Sequence, residues 1–109
     1  MNANTMYRIY VENITQQDGL SIPEQLAAAA FDAITCIEAR GYWKGQAENS
    51  LVIEILTDDG AAVQALAEKL RSKLSQEAVL VTRTATVATL VTKPEPQMDG
   101  IVPIGDLSF

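Results

Sequence analysis

Between Phe31 and Val91 the spacing of apolar residues changes twice, from alternation to a three-and-four period and back to alternation. Alternation buries one face of a strand and the longer period buries one face of a helix, so the order of periods is also an order of elements. With a short strand and a helix ahead of it, the stretch reads β-α-β-β-α-β. The two helices then lie on one face of a four-stranded antiparallel sheet.

The elements can be read in turn. The first strand is expected over Tyr7–Ile14, where Tyr7, Ile9 and Val11 alternate with Arg8, Tyr10 and Glu12. Asp18-Gly19 is a turn signal, and Ser21-Ile22-Pro23-Glu24 is a capping box that starts a helix at Ile22 and lets it fade near Asp32. Its body is rich in alanine and can approach a sheet closely. In the second strand, Thr35–Trp43, Cys36, Glu38 and Arg40 point away from Thr35, Ile37 and Ala39, and Gly41 permits close approach. Leu51–Leu56 is nearly continuous in apolar residues and should be central. Lys44–Asn49 reads as the polar hairpin loop before it.

Asp58-Asp59-Gly60 marks the next helix start, where carboxylates suit the positive end of the dipole. Over Ala61–Leu74, Val63, Leu66, Leu70 and Leu74 form the buried stripe, and Lys69, Arg71 and Lys73 gather near the C-terminal end. Those cations complement the dipole and are not a basic binding patch. The last strand is expected over Ala78–Val91. Residues 1–92 thus form one α+β domain of ferredoxin-like architecture. Residues 93–109 form a tail stiffened by Pro94 and Pro96, whose apolar Ile101, Val102, Ile104 and Phe109 are expected to dock on the domain or on a neighbouring subunit.

At 109 residues, one domain buries roughly two thirds of its unfolded surface and needs no staple. The single cysteine, Cys36, reads as a small buried hydrophobe. Fourteen acidic residues against eight basic ones give a net charge of −6, opposed to the basic footprint that phosphate backbones require, so nucleic acid is not expected as a partner. With zero histidines the commonest general base and zinc ligand are gone, so no metal or other cofactor is expected. No apolar run is long enough to cross a bilayer and the N-terminus lacks a leader pattern, which gives the expectation of a cytoplasmic protein with no membrane insertion.

Phe31, Asp32 and Thr35, then Ala39-Arg40-Gly41, Trp43, Glu48, Ser50, Gln76-Glu77 and Val79-Leu80 make up a phrase spread over about sixty residues. It resembles that of the bacterial family of domain of unknown function 3574, which implies a ferredoxin-like fold with no assigned activity. The Pro and Gly that follow Phe31 in the family are missing here. More weakly, Tyr42-Trp43-Lys44-Gly45 and the strand that follows are similar to the hairpin of the trimeric divalent-cation-tolerance proteins called CutA, relatives in fold of the PII signal transducers. The His and Tyr of that family's second motif are absent, so the resemblance implies an oligomeric sensor by analogy and no metal site.

No constellation in the chain has the residue types and spacing of a known catalytic centre. The candidate binding cluster is Arg40, Trp43, Lys44, Glu48, Gln76 and Glu77, which the hairpin and the start of the last strand should bring to one end of the sheet. In the competing view Trp43 covers the end of the core and Arg40 pairs with Glu48 across the strands. The reading of the whole is a small homo-oligomeric binding or regulatory module, dimer or trimer, with a small-molecule ligand. Its self-contact is the uncovered sheet face, where Tyr10, Cys36 and Val52 are expected among Arg8, Glu12, Glu38, Arg40, Glu54 and Thr82. The alternative is a small cofactor-free enzyme of dimeric α/β-barrel type that uses Glu38, Glu54, Arg40 or Tyr10 on that face.

Overall fold

The computed structural model describes residues 5–94. The elements are β1 (Thr5–Glu12), α1 (Ile22–Ala30), β2 (Thr35–Trp43), β3 (Gln46–Leu56), α2 (Gly60–Lys73) and β4 (Leu80–Ala85). The sheet is antiparallel throughout in the order β2-β3-β1-β4, the ferredoxin-like arrangement that the periodicity predicts. The apolar run of β3 is central, as its composition requires. The tail expected to dock lies mostly outside the described residues.

Local chemistry sets the helix ends. Ser21 caps α1, its Oγ accepting from the Glu24 N–H at 3.3 Å, and Pro23 occupies the first turn, where a missing N–H costs nothing. Asp59 caps α2 by accepting from the Ala62 N–H at 3.0 Å. At its far end α2 closes with the Gln76 N–H on the Arg71 carbonyl and the Ser75 N–H on the Ser72 carbonyl, the paired bonds of a Schellman ending. That ending holds Ser75 at φ +52°, a left-handed position glycine normally fills.

The core is a single layer between helices and sheet. Tyr7, Ile9 and Val11 of β1 and Leu51, Ile53 and Ile55 of β3 face Ala27 of α1 and Val63, Leu66, Ala67 and Leu70 of α2. Burying each large aliphatic side chain here contributes about 1.5–3 kcal/mol.

Several sequence expectations need correction. β1 starts and ends two residues earlier than expected. The polar run after Trp43 is not a loop: Trp43 pairs with Gln46, and only Lys44-Gly45 make the turn, at φ +50° and +80°. Positive φ at both central residues is the pattern of a type I′ turn, whose twist matches the two strands. β4 starts at Leu80 rather than Ala78 or Gln76 and stops at Ala85. Among the described residues the β1–β4 ladder closes with Thr5 opposite Ala85.

The uncovered face also differs. Residues opposite one another in an antiparallel ladder share a face, so the pairs Cys36 with Ile53 and Glu38 with Leu51 put Cys36, Glu38 and Arg40 on the helix side. Cys36 packs against the core, while Glu38 and Arg40 lie exposed beyond the helix layer. The uncovered face carries Ile37, Ala39 and Trp43 of β2 in their place, beside Arg8, Tyr10, Glu12, Val52, Glu54 and Thr82. The physical reason is that β2 is an edge strand: lacking helix cover over most of its length, it keeps polar residues on its inner face, and composition no longer tells the faces apart.

Candidate functional site

β1 is shorter than the hairpin beside it. Its last ladder pair is Glu12 with Ser50, followed by a single bond from the Asn13 N–H to the Asn49 carbonyl, whereas β2 continues to Trp43 and β3 reaches back to Gln46. The hairpin therefore overhangs the end of the central strand. On the other side of β1, β4 starts at Leu80, opposite Tyr10, and residues 75–79 cross toward it from the end of α2. Overhang, strand end and crossing segment enclose a cleft of about 580 Å³, within the usual range for small-molecule sites.

Tyr10, Glu12, Gly41, Trp43, Glu48, Ser50 and Leu80 line the cleft, and all of them belong to the uncovered face by their ladder partners. Ser75, Gln76, Glu77, Ala78 and Val79 close it from the α2–β4 segment, and Val11 and Tyr42 complete the lining. A Cβ on Gly41 would stand 2.5 Å from the Ser50 hydroxyl oxygen, so the absence of a side chain there is what lets that hydroxyl lie over the strand. Trp43 is 47% exposed, with its ring turned into the rim instead of the core.

One contact spans the mouth. Lys44 Nζ lies 3.1 and 3.2 Å from the two carboxylate oxygens of Glu77, and 5.7 Å from the centre of the Trp43 ring. Both charges are solvent-exposed, so the pair is a weak and reversible latch. Both described non-glycine residues with positive φ, Lys44 and Ser75, stand on the two sides of this cleft. Backbone held in sparsely populated conformations concentrates at binding sites. Glu12 and Glu48 have no ion-pair partner among the described residues, so the lining is aromatic and acidic together.

Of the six candidate residues, Trp43, Glu48, Gln76 and Glu77 line the cleft and Lys44 latches its mouth. Arg40 does not belong. It sits opposite Asn49, on the other face, and Glu48 sits opposite Gly41, so the expected Arg40–Glu48 pair cannot form. The enzyme alternative loses Glu38 and Arg40 for the same reason. Glu54 remains on the uncovered face but is engaged by Arg8 at 2.7 Å. Tyr10, Glu12 and Ser50 were missing from the candidate cluster, although their alternation puts them on the face of Trp43 once the register is known.

Among the described residues no helix is long and apolar enough to cross a membrane, and no three His, Cys, Asp or Glu residues are grouped to hold a metal ion. Neither a family model nor a curated protein matches the chain. Solved structures do. A phage SAM lyase in complex with S-methyl-5'-thioadenosine aligns with a TM-score of 0.58 and 23% identity over 80% of this chain and 86% of that one. A phage SAM lyase in the apo state aligns with a TM-score of 0.59 and 23% identity over 87% of this chain and 94% of that one. At that identity the likeness is one of fold.

Proposed function

We propose that the chain is a small enzyme that binds S-adenosylmethionine in the cleft beyond the end of β1 and releases S-methyl-5'-thioadenosine. The observation that carries this reading is the pairing of an aromatic wall, Tyr10 and Trp43, with the unpaired carboxylates of Glu12 and Glu48 in one cleft. An adenine ring stacks on an aromatic side chain, and a sulfonium cation is attracted by the face of an aromatic ring and by carboxylates. The fold shared with the phage enzyme supports the same choice.

The chemistry asks little of the protein. When the bond from sulfur to the four-carbon chain breaks, its electron pair stays on sulfur, and the sulfonium becomes a neutral thioether. The four-carbon fragment makes good the lost bond by closing its own carboxylate oxygen onto the same carbon, so no water or external base is consumed. Positive sulfur and negative carboxylate neutralise each other along this path, and an enclosed site that excludes water favours it. Holding the substrate folded for ring closure is the main contribution of the walls.

Self-association belongs to the same reading, because the cleft opens onto the uncovered sheet face. Ile37 is 45% exposed and Leu80 60% exposed on that face, and a second copy laid on them would form the missing wall.

Trp43 is the chain's sole tryptophan, so intrinsic fluorescence reports directly on the cleft. Titration with S-methyl-5'-thioadenosine is expected to change that fluorescence saturably. Incubation with S-adenosylmethionine is expected to yield the thioether, read by mass spectrometry, with a raised KM in Glu48→Gln, which removes a carboxylate that attracts the sulfonium. The reading fails if no thioether accumulates above the spontaneous rate and the fluorescence is unmoved at millimolar ligand.

A further inference from the structure

A second cleft, of about 310 Å³, lies at the opposite end of β1 and on the helix side, between the start of α2 and β4. Its lining is Tyr7, Gly60, Gln64, Val81, Thr82 and Arg83. Tyr7 is only 8% exposed, and its hydroxyl, which has no hydrogen-bond partner among the described residues, is the part that reaches solvent. A buried tyrosine normally pairs its hydroxyl, and a phenylalanine would fill the same core position without that need. The hydroxyl reaches the cleft beside Gly60, where a Cβ would come within 2.6 Å of it.

The backbone at this point also offers N–H groups that no described residue accepts. Gly60 and Ala61 open a 14-residue helix, so their N–H groups have no acceptor within it. The Asp59 carboxylate takes the N–H of Ala62, and its carbonyl takes that of Val63, which leaves the first two without an acceptor among the described residues. Arg83, opposite Tyr7 in the ladder, has no ion pair among the described residues. One guanidinium, one phenol, one carboxamide and the positive end of a helix thus surround a cavity with no carboxylate in its lining.

We propose that this cleft binds the carboxylate of a small organic acid, held by the Arg83 guanidinium, the Tyr7 hydroxyl and the Gly60 N–H. A planar carboxylate takes a guanidinium through two parallel hydrogen bonds. Charge decides against phosphate, since a dianion would meet a single cation with Asp58 and Asp59 adjoining in sequence. The volume exceeds that of a carboxylate and leaves room for a short apolar chain against Val81. This site is separate from the first cleft, so its test stands apart from thioether release.

The test is a titration of the full-length ¹⁵N-labelled protein with sodium butyrate, with sodium chloride at equal ionic strength and inorganic phosphate as separate arms. Saturable shifts of the Gly60 and Ala61 amides are expected with butyrate, with binding at least tenfold weaker in Arg83→Gln. Tyr7→Phe removes one donor and should weaken binding about three- to tenfold. Should that variant fail to fold, Arg83→Gln, on an exposed strand position, carries the decision alone. The proposal is overturned if chloride reproduces the shifts, if Arg83→Gln binds butyrate equally well, or if phosphate binds more tightly than butyrate.

Discussion

Single residues differ sharply in what they hold. Leu70 is fully buried on the α2 stripe while Lys73, three residues on, is exposed. Leu70→Ala should cost about 2–5 kcal/mol in a urea titration and Lys73→Ala within about 0.5 kcal/mol of nothing. Equal effects would mean that the helix is turned differently. Ser75 offers the opposite sign. Its left-handed backbone closes α2, so Ser75→Gly should stabilise by about 0.5–1 kcal/mol in the same titration.

Cys36 gives a pH dependence. Burial, with the charge of Glu24 second, raises its thiol above the ordinary value of 9.0. The folded thiol therefore keeps its proton to higher pH than the unfolded one. Its stabilising contribution is complete below the unfolded value and is lost as pH rises through the folded value. The stability advantage of the native protein over Cys36→Ala, measured by urea at pH 7 and pH 10, should shrink at the higher pH.

At the scale of elements, the hairpin is the part most open to alteration. Lys44 occupies a left-handed turn position that asparagine fills more readily, so Lys44→Asn should hold or raise the urea midpoint while removing the contact to Glu77. Trp43 fluorescence should then shift as its cation neighbour goes. A clear fall in stability would show that the latch matters more than the turn. Helices and central strands were legible because their period and polarity agree: Val63, Leu66 and Leu70 leave no doubt about the inner face of α2. The hairpin was not, because Gln46–Asn49 are polar on both sides and look like a loop, although they extend β3. In β2 alternation was visible but its sense was not, and Arg40, grouped with the cluster by its nearness to the hairpin end, lies on the other face. Trp43, Glu48, Gln76 and Glu77 could be found since they lie near the turn in sequence or at the start of the last connection. Tyr10 and Glu12 come to the cleft only because β1 ends short of its neighbour, a fact about register that no local pattern carries.

For the whole molecule, the uncovered sheet face sets the expectation. Ile37 and Leu80 stand on its two edge strands, with Val52 and the Arg8–Glu54 pair between them. Light scattering at micromolar concentration should return at least twice the 11.8 kDa chain mass. Ile37→Lys should lower that mass without lowering the cooperativity of unfolding. A monomeric native protein would leave the first cleft complete within one copy.

The strand order carries a consequence for the protein during its own synthesis. β1 leaves the ribosome before the other three strands of its sheet, yet it sits inside that sheet, flanked by β3 and β4. Its partner Ala85 follows Thr5 by most of the chain. A nascent chain stopped short of Leu80 can join β1 to β3 but must leave the other edge of β1 bare, with the backbone groups of Thr5–Tyr10 that β4 pairs left open, a template for pairing with the next nascent chain on the same message. The six residues of β4 are thus the seal on an edge that stays open until they have been made, and a premature stop just before them is expected to yield an aggregating product instead of a smaller folded one.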